Sequence, residues 1–249
     1  MRFKLTLQVE ASTFRRRLAF DYQSDMSAMV YGIMTQSDSD YEEWLHVNGF
    51  HDYSLKFKMF TFSKLIIPDY SIDRRHNCMI INSESVEFFL SLVPERRSDA
   101  FIPNMFKGRR FRFNEESHSA QFTITQVDVV PDPVFEREME FCTLSPVCIQ
   151  HNTQVANIVM LDLLSKYRDF YGNEYKGVLK DFSFNLLNKP EDKVVVIRSE
   201  YAGASNIRAS MFDFKIIAPP ALLKIMYSHG LGNNNCLGFG MIAPREVPS

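Results

Sequence analysis

Three polar residues in the first quarter of the chain could together cut a phosphodiester bond without a metal: Tyr31, His46 and Lys58. A histidine, whose ordinary pKa is about 6.5, can accept a proton from a ribose 2′-hydroxyl or give one to a leaving 5′-oxygen. A lysine supplies fixed positive charge to the transition state, and a tyrosine donates a hydrogen bond or serves as the partner acid or base. If the fold brings them together, these residue types indicate metal-independent cleavage beside a 2′-hydroxyl.

Helical periodicity places two of these residues away from the apolar stripes of their helices. Over residues 22–36 the stripe is centred on Met26, Val30 and Ile33, and at roughly 100° per residue Tyr31 lies about 130° from that centre. A following short helix has its stripe on Tyr41, Trp44 and Leu45, and His46 lies about 145° from the centre of that stripe. Both side chains are therefore predicted to face solvent, either as ordinary surface residues or as reactive groups.

A glycine-rich segment near the C-terminus, Gly230-Leu-Gly-Asn-Asn-Asn-Cys-Leu-Gly-Phe-Gly240, holds four of the ten glycines of the chain. This density indicates positive φ angles or close backbone contacts. A dinucleotide-binding fold needs a strand before its glycines and a helix after them, whereas here a helix precedes and a strand at residues 236–242 follows. A P-loop is excluded because no Lys-Ser or Lys-Thr pair comes next.

What remains is a loop of amides and asparagines suited to a phosphodiester backbone. The residues expected to bind RNA are Gly230, Gly232, Asn233, Asn234, Asn235, Gly238 and Gly240.

Composition describes a globular protein without an overall nucleic-acid signature. The 249 residues are 45% hydrophobic and carry a net charge of −2, so affinity for RNA must come from local basic patches. Arginine clusters occur at residues 15–17, 96–97 and 109–112, although each is more often a solvated turn. The four cysteines lack metal-site spacing, and neither a signal peptide nor an apolar run of the ~18 residues that span a membrane is evident. We therefore expect a cytoplasmic protein.

The two halves of the chain repeat one order of elements. In the first half, strands are predicted at residues 3–9, 58–64, 77–82 and 120–130, and helices at 22–36 and 86–92. In the second half, strands are predicted at 139–149, 193–197, 211–217 and 236–242, and helices at 155–170 and from 219. This β-α-β-β-α-β order predicts an α+β protein of tandem ferredoxin-like (RRM-like) domains, each an antiparallel sheet with helices on one face. We place the catalytic N-terminal domain at 1–130 and the C-terminal domain, with the glycine-rich loop, at 131–249.

The chain resembles the CRISPR-associated endoribonucleases of the RAMP superfamily, which process repeat RNA. The resemblance spans nearly the whole length. It rests on Met1-Arg-Phe3, Phe20-Asp-Tyr22, Tyr31, Leu45-His46, the strand from Lys58, Cys142-Thr-Leu-Ser-Pro146 and the glycine-rich segment ending in Leu237-Gly-Phe-Gly240. The last two motifs are the specific ones.

This resemblance implies metal-independent cleavage of precursor CRISPR RNA within its repeats, with no cofactor. The upstream 2′-hydroxyl attacks the phosphate and leaves 2′,3′-cyclic phosphate and 5′-hydroxyl ends. By position, His46 is the general acid or base, Tyr31 is its partner and Lys58 stabilises the transition state. The stretch between the histidine and the lysine looks longer than in the family, so Lys56, on the same strand face, and His51 are alternatives.

Two other functions compete with the enzyme. A non-catalytic RNA-binding subunit of an interference complex, from the same superfamily, would use the same glycine-rich loop. The set of Tyr31, His46 and Lys58 favours the enzyme over that subunit. A ferredoxin-like binding module, with the glycines as a plain turn, would not need so many glycines and asparagines. The expected partner is precursor CRISPR RNA, with other CRISPR-associated proteins and a second copy of the chain as further candidates, and no membrane.

Overall fold

The structure is a computed structural model that describes residues 1–11, 16–36, 60–92, 98–113, 119–149, 154–199 and 203–245. In chain order, the first half contains β1 (Arg2–Val9), β2 (Arg17–Ala19), α1 (Gln23–Gln36), β3 (Phe60–Phe62), β4 (Tyr70–Asp73), β5 (Cys78–Ile81), β6 (Ser85–Leu92), α2 (Ser98–Phe106), β7 (Arg110–Phe113) and β8 (Ala120–Val130). The second half contains β9 (Glu138–Thr143), α3 (Val155–Tyr171), β10 (Ser183–Leu186), β11 (Glu191–Ser199), β12 (Gly203–Met211), β13 (Asp213–Ile217), α4 (Pro220–His229), a 3-10 helix (Asn235–Leu237) and β14 (Ile242–Pro244).

The first half forms an antiparallel sheet in the order β3-β6-β1-β8-β7. Without the added edge strand β7, this is the second, third, first and fourth strand of a β-α-β-β-α-β unit, which is ferredoxin-like order. Alternate residues of β1 are buried, and they join one core with the apolar residues of α1 and α2, including Met26, Val30 and Phe106. A second, smaller sheet has the order β2-β5-β4.

The second half repeats the arrangement with the order β10-β13-β9-β14, again antiparallel. Helices α3 and α4 contribute Val159, Leu163, Leu222 and Met226 to its core. Between the second and third strands, the hairpin β11-β12 forms a sheet of its own, and β11 contacts α1 of the first half. The predicted α+β class with tandem ferredoxin-like domains is therefore confirmed.

Three parts of the element order differ from the sequence-based expectation. Residues 193–197, predicted as the second strand of the second unit, lie in β11 of the separate hairpin, and the second strand of that unit is β10. Residues 86–92, predicted as a helix, lie in β6, where Val86, Phe88 and Leu90 alternate into the core while the residues between them face the other side. A short apolar run is ambiguous between helix and strand, and here the pairing with β1 decides. The second helix of this half is α2, and the third strand of its ferredoxin-like unit is β6 rather than residues 77–82, which hold β5 of the smaller sheet.

The strand predicted at residues 236–242 is also wrong. Residues 235–237 form a 3-10 turn, and the closing strand begins only at Ile242. Positive φ angles at Gly238 and Gly240 keep this stretch out of the extended conformation. Within the described ranges, no helix is long and apolar enough to cross a membrane.

Candidate nucleic-acid interface

The glycine-rich loop, residues 230–240, connects α4 to β14 and has the backbone that its composition predicts. Gly230, Gly232, Gly238 and Gly240 have φ angles of 87°, 73°, 82° and 75°. Asn234 is left-handed as well, at 61°, a conformation that asparagine tolerates better than most residues. The expectation of positive φ angles is confirmed.

The amides of the four glycines already have acceptors inside the protein. Gly230 donates to the carbonyl of Met226 at 3.0 Å, Gly238 to that of Asn235 at 2.9 Å and Gly240 to that of Pro146 at 2.8 Å. Gly232 donates to the carboxylate of Asp162 at 3.0 Å. All of these acceptors belong to the second half of the chain, so these amides shape the loop and hold it to that half.

The carbonyls of residues 236–239 in the loop point the other way, towards the first half of the chain. Ser27 Oγ donates to the carbonyl of residue 236 at 2.9 Å. Gln23 Nε2 donates to those of residues 237 and 238 at 2.9 and 2.8 Å. Thr61 Oγ1, on β3, donates to that of residue 239 at 2.9 Å. Four consecutive carbonyls are therefore held by three side chains of the first ferredoxin-like unit.

Close approach explains why glycine occupies two of these positions. A Cβ on Gly238 would lie 2.2 Å from the ring of Phe62, and one on Gly240 would lie 2.0 Å from the carbonyl oxygen of Leu231. The first contact joins the two halves of the chain, and the second folds the loop on itself. Neither position has room for a side chain.

The solvent-facing part of the loop is Asn233 and Asn234. Both are exposed, whereas Asn235 is 8% exposed, and its amide donates to the carbonyl of Phe239 at 3.0 Å. Asn235 thus closes the loop from inside. Of the seven residues expected from the sequence to bind RNA, only Asn233 and Asn234 expose their side chains to a ligand.

A half-buried lysine of α3, with 17% of its side chain exposed, supports the loop. Lys166 Nζ donates to the carbonyls of Gly230 and Gly232 at 2.8 and 2.7 Å, and to Asp162 Oδ2 at 2.9 Å. Burial lowers the pKa of Lys166, while the neighbouring Asp162 opposes that shift. The ion pair fixes the start of the loop, and nothing in the sequence marked it.

Tyr31 lies on α1, the helix whose residues Gln23 and Ser27 contact the loop. Gln23, Ser27 and Tyr31 follow one another at four-residue spacing, so each is about 40° around the helix from the one before. The side chain of Tyr31 is 46% exposed, while Met26 and Val30 are fully buried. The predicted orientation of this helix is confirmed, and Tyr31 lies beyond the two residues that hold the loop.

The other candidates for the reaction lie outside the described residues. These are His46 and its alternative His51, and Lys58 and its alternative Lys56, together with the short helix predicted around Trp44. Their roles stay predictions. Described strand β3 begins two residues after Lys58 and, through Thr61, is bound to the loop.

A pair of lysines marks the junction of the two halves, which the sequence did not predict. Lys64 follows β3, and its amide donates to the carbonyl of Leu144 at 3.1 Å. Burial lowers the pKa of Lys64, the nearby ammonium of Lys193 on β11 lowers it further, and Glu191 opposes both. Lys193 also forms an ion pair with Glu191, so these three side chains together carry one excess positive charge, which favours an anion such as phosphate.

The arginines of the predicted basic clusters differ in their structural roles and in their exposure. Arg16 is structural, because its guanidinium donates to the carbonyls of residues 10, 81, 82 and 83. Arg109, Arg110 and Arg112 are exposed on and beside the edge strand β7. Arg15 and the pair at residues 96–97 lie outside the described residues.

Two family models match successive parts of the chain. The model described as CRISPR-associated protein Cas6, N-terminal, matches residues 17–127, and the one described as CRISPR associated protein Cas6, C-terminal, matches residues 130–244. Together they cover both ferredoxin-like units.

Individual relatives agree over nearly the full length. The chain is 23% identical over 259 aligned residues to CRISPR-associated endoribonuclease Cas6 1 of Methanocaldococcus jannaschii, an alignment that covers 99% of this chain and 93% of that protein. It is 22% identical to CRISPR-associated endoribonuclease Cas6 of Pyrococcus furiosus, covering 97% and 89%. A solved structure described as an RAMP protein binding different RNA substrates shares the fold, with a TM-score of 0.77, 19% identity and coverage of 99% and 100%.

Proposed function

Because the chain belongs to the Cas6 family of CRISPR-associated proteins, we propose that it is an endoribonuclease that cuts precursor CRISPR RNA within its repeats. The observation that carries this proposal is the match of both ferredoxin-like units to the family, over residues 17–127 and 130–244. The position of Tyr31 on α1, about one turn after the loop-binding residue Ser27, supports it.

The reaction needs one group that takes a proton and one that gives a proton. The 2′-oxygen upstream of the cut forms a bond to phosphorus and loses its proton to the base, while the bond from phosphorus to the 5′-oxygen breaks and that oxygen receives a proton from the acid. His46 and Tyr31 fill these two roles. Lys58, or Lys56, stabilises the additional negative charge on the phosphate oxygens. The products are a 2′,3′-cyclic phosphate and a 5′-hydroxyl.

RNA binding is assigned to the surface around the glycine-rich loop. Asn233 and Asn234 offer side-chain amides that contact RNA, while the glycines give the loop its shape. Lys64 and Lys193 add positive charge at the junction of the two halves. Because the net charge of the chain is −2, this local site has to supply the electrostatic part of the affinity.

The division of the chain and its location belong to the same proposal. We propose a boundary between residues 130 and 131, just after β8, where residues 131–136 have no regular structure. All four cysteines are free thiols, which fits the reducing cytoplasm.

The deciding experiment uses the full chain and a repeat-containing RNA in excess EDTA. We expect cleavage at one position in each repeat, with 2′,3′-cyclic phosphate ends. An RNA with a single 2′-deoxy nucleotide upstream of the cut should bind normally and stay intact, because it lacks the nucleophile.

Other results would exclude parts of the proposal. Loss of cleavage in EDTA would exclude the metal-independent mechanism. Cutting of the deoxy substrate would exclude attack by the 2′-hydroxyl. Tight binding of the repeat without any cleavage would favour the non-catalytic RNA-binding subunit.

A further inference from the structure

The glycine-rich loop divides its backbone polar groups between the two ferredoxin-like units. Its glycine amides donate to acceptors of the second unit, and its carbonyls at residues 236–239 accept from the first unit. A loop that only bound a ligand would leave many of these groups pointing outward. This loop is therefore also the joint between the two units.

Two of the three side chains at this joint belong to the helix that carries Tyr31. Ser27 lies about one turn before Tyr31 and Gln23 about two turns before it, and both contact the loop. We infer that Gln23 and Ser27 are positioning residues: they fix α1, and with it Tyr31, to the loop that holds the RNA. The inference rests on the proposed function, since it gives these residues a task in the same cleavage reaction.

Burial makes the Gln23 contact hard to replace by water. Its side chain is 8% exposed, and one amide nitrogen serves two carbonyls at 2.9 and 2.8 Å. Without that amide, both carbonyls lose a donor in a place that water reaches poorly. The helix would then shift to let solvent in, and Tyr31 would move with it.

The same joint also holds the strand that follows Lys58. Thr61 binds the carbonyl of residue 239 from one side of β3, while the ring of Phe62 packs against Gly238 on the other. The loop thus contacts side chains on both faces of β3. Helix α1 and strand β3 are in this way held to one segment, which fixes the two elements relative to each other.

Positioning of this kind affects the rate of reaction more than binding. A misplacement of about 1 Å at a reacting group can cost roughly 100-fold in rate. Affinity for RNA comes instead from side chains such as Asn233, Asn234 and the two lysines, which are not altered by changes at Gln23 or Ser27. A separation between rate and affinity therefore distinguishes a positioning residue from an RNA ligand.

The test compares Gln23→Leu, Ser27→Ala and Ser27→Thr in the full chain. Single-turnover cleavage is measured at saturating enzyme, and the Kd is measured with the repeat RNA that carries the blocking 2′-deoxy nucleotide. We expect Gln23→Leu and Ser27→Ala to slow cleavage roughly 10- to 100-fold with Kd changed less than about 2-fold. Ser27→Thr keeps the hydroxyl and should restore most of the rate.

A matched control separates positioning from general destabilisation. Ile216→Val removes one methylene group from the core of the second unit, far along the chain from α1. It should lower the melting temperature by about as much as Gln23→Leu does, without slowing cleavage. Hydrogen exchange adds a readout that does not need activity. The amides of α1 should exchange faster in Gln23→Leu, while those of β13 should not change.

Each alternative outcome has a definite meaning. Normal cleavage rates in Gln23→Leu and Ser27→Ala would overturn the inference, as would equal losses in rate and affinity or an equal loss of rate in Ile216→Val. If the unaltered protein fails to cut the RNA, the proposed function fails. The exchange experiment would still decide in that case whether these two residues hold α1 to the loop.

Discussion

Arg2 and Tyr227 lock the first strand of one ferredoxin-like unit to the last helix of the other. The guanidinium carbon of Arg2 lies 3.5 Å from the centroid of the Tyr227 ring, and Nη2 donates to the Tyr227 carbonyl at 2.7 Å. The other nitrogens donate to Ser91 Oγ at 3.0 Å and to the carbonyl of Ile242 at 2.7 Å. Burial lowers the pKa of Arg2 to about 10, so the group stays charged at neutral pH.

Removal of this guanidinium should destabilise the whole protein. Arg2→Ala leaves buried acceptors on Tyr227, Ile242 and Ser91 without their donor, and we expect a loss of about 3 kcal/mol in the free energy of unfolding. Urea denaturation measures it. Arg110→Ala, at an exposed position on β7, is the control and should change stability by less than about 0.5 kcal/mol. Equal effects of the two changes would contradict the role of Arg2 at the junction.

Two glycines with the same backbone conformation should respond very differently to alanine. Gly108 and Gly240 have φ angles of 80° and 75°, so both changes introduce left-handed strain of about 1 kcal/mol. Nothing lies within 4 Å of a Cβ at Gly108, but one at Gly240 meets the Leu231 carbonyl oxygen at 2.0 Å. We expect Gly240→Ala to lower the free energy of unfolding by about 2 kcal/mol more than Gly108→Ala does, because overpacking typically costs about 1–3 kcal/mol. Similar losses in urea denaturation would show that the loop can open without penalty.

Lowering the pH through the range where histidine titrates should destabilise the protein, because of His229. This side chain is 5% exposed, and its Nε2 has no hydrogen-bond partner among the described residues. Burial lowers its pKa to about 4, and nearby Lys166 and the N-terminal ammonium act in the same direction. In the unfolded chain this histidine binds a proton near pH 6.5, whereas in the folded protein it stays neutral until about pH 4. The free energy of unfolding therefore has its full value above pH 6.5 and decreases progressively as the pH falls towards 4.

The size of this effect can be isolated with one variant. A pKa of about 4 in the folded protein, against about 6.5 in the unfolded chain, corresponds to a loss of about 3 kcal/mol in the free energy of unfolding between pH 7 and pH 4. In His229→Leu, this part of the pH dependence should disappear, leaving the slope due to carboxylates. An unchanged slope in urea denaturation between pH 4 and 6.5 would mean that His229 is accessible to protons in the folded state.

The catalytic assignment makes a separate prediction for each polar group. Tyr31→Phe and His46→Ala should each lower the single-turnover rate by roughly 100-fold or more, because each removes a proton-transfer group. His51→Ala should be close to normal. Lys56→Ala and Lys58→Ala should differ, with the larger loss at Lys58. Gel analysis of labelled repeat RNA measures all five, and full activity of His46→Ala would transfer the assignment to His51.

The lysine pair at the junction predicts how binding responds to salt. If Lys64 and Lys193 each contact a phosphate, replacing either with alanine should reduce the slope of log K against log salt by about 0.7, the value for one contact with a single strand. Lys180→Ala, also at an exposed lysine, should leave the slope unchanged. Weaker binding with an unchanged slope would indicate a structural role for the pair.

The sequence predicted what depends on local pattern and missed what depends on distant contacts. Periodicity on α1 placed Tyr31 correctly, because the apolar stripe of a helix fixes its orientation. The run from Val86 to Leu92 was assigned to the wrong element, since only pairing with β1 shows it to be a strand. The glycines indicated a positive-φ loop, but that its carbonyls meet Gln23 could not be known from positions more than 200 residues apart.

The joint has a consequence for exchanging parts between related proteins. A hybrid that takes its second ferredoxin-like unit from a relative imports a foreign loop but keeps the native Gln23, Ser27 and Thr61. Unless the donor loop presents its carbonyls at the same places, the hybrid would fold as two sound halves and yet lose activity. Compatibility at this joint, rather than overall sequence similarity, should therefore determine which hybrids are active. Transplanting α1 and β3 together with the loop should restore activity to the hybrids that fail.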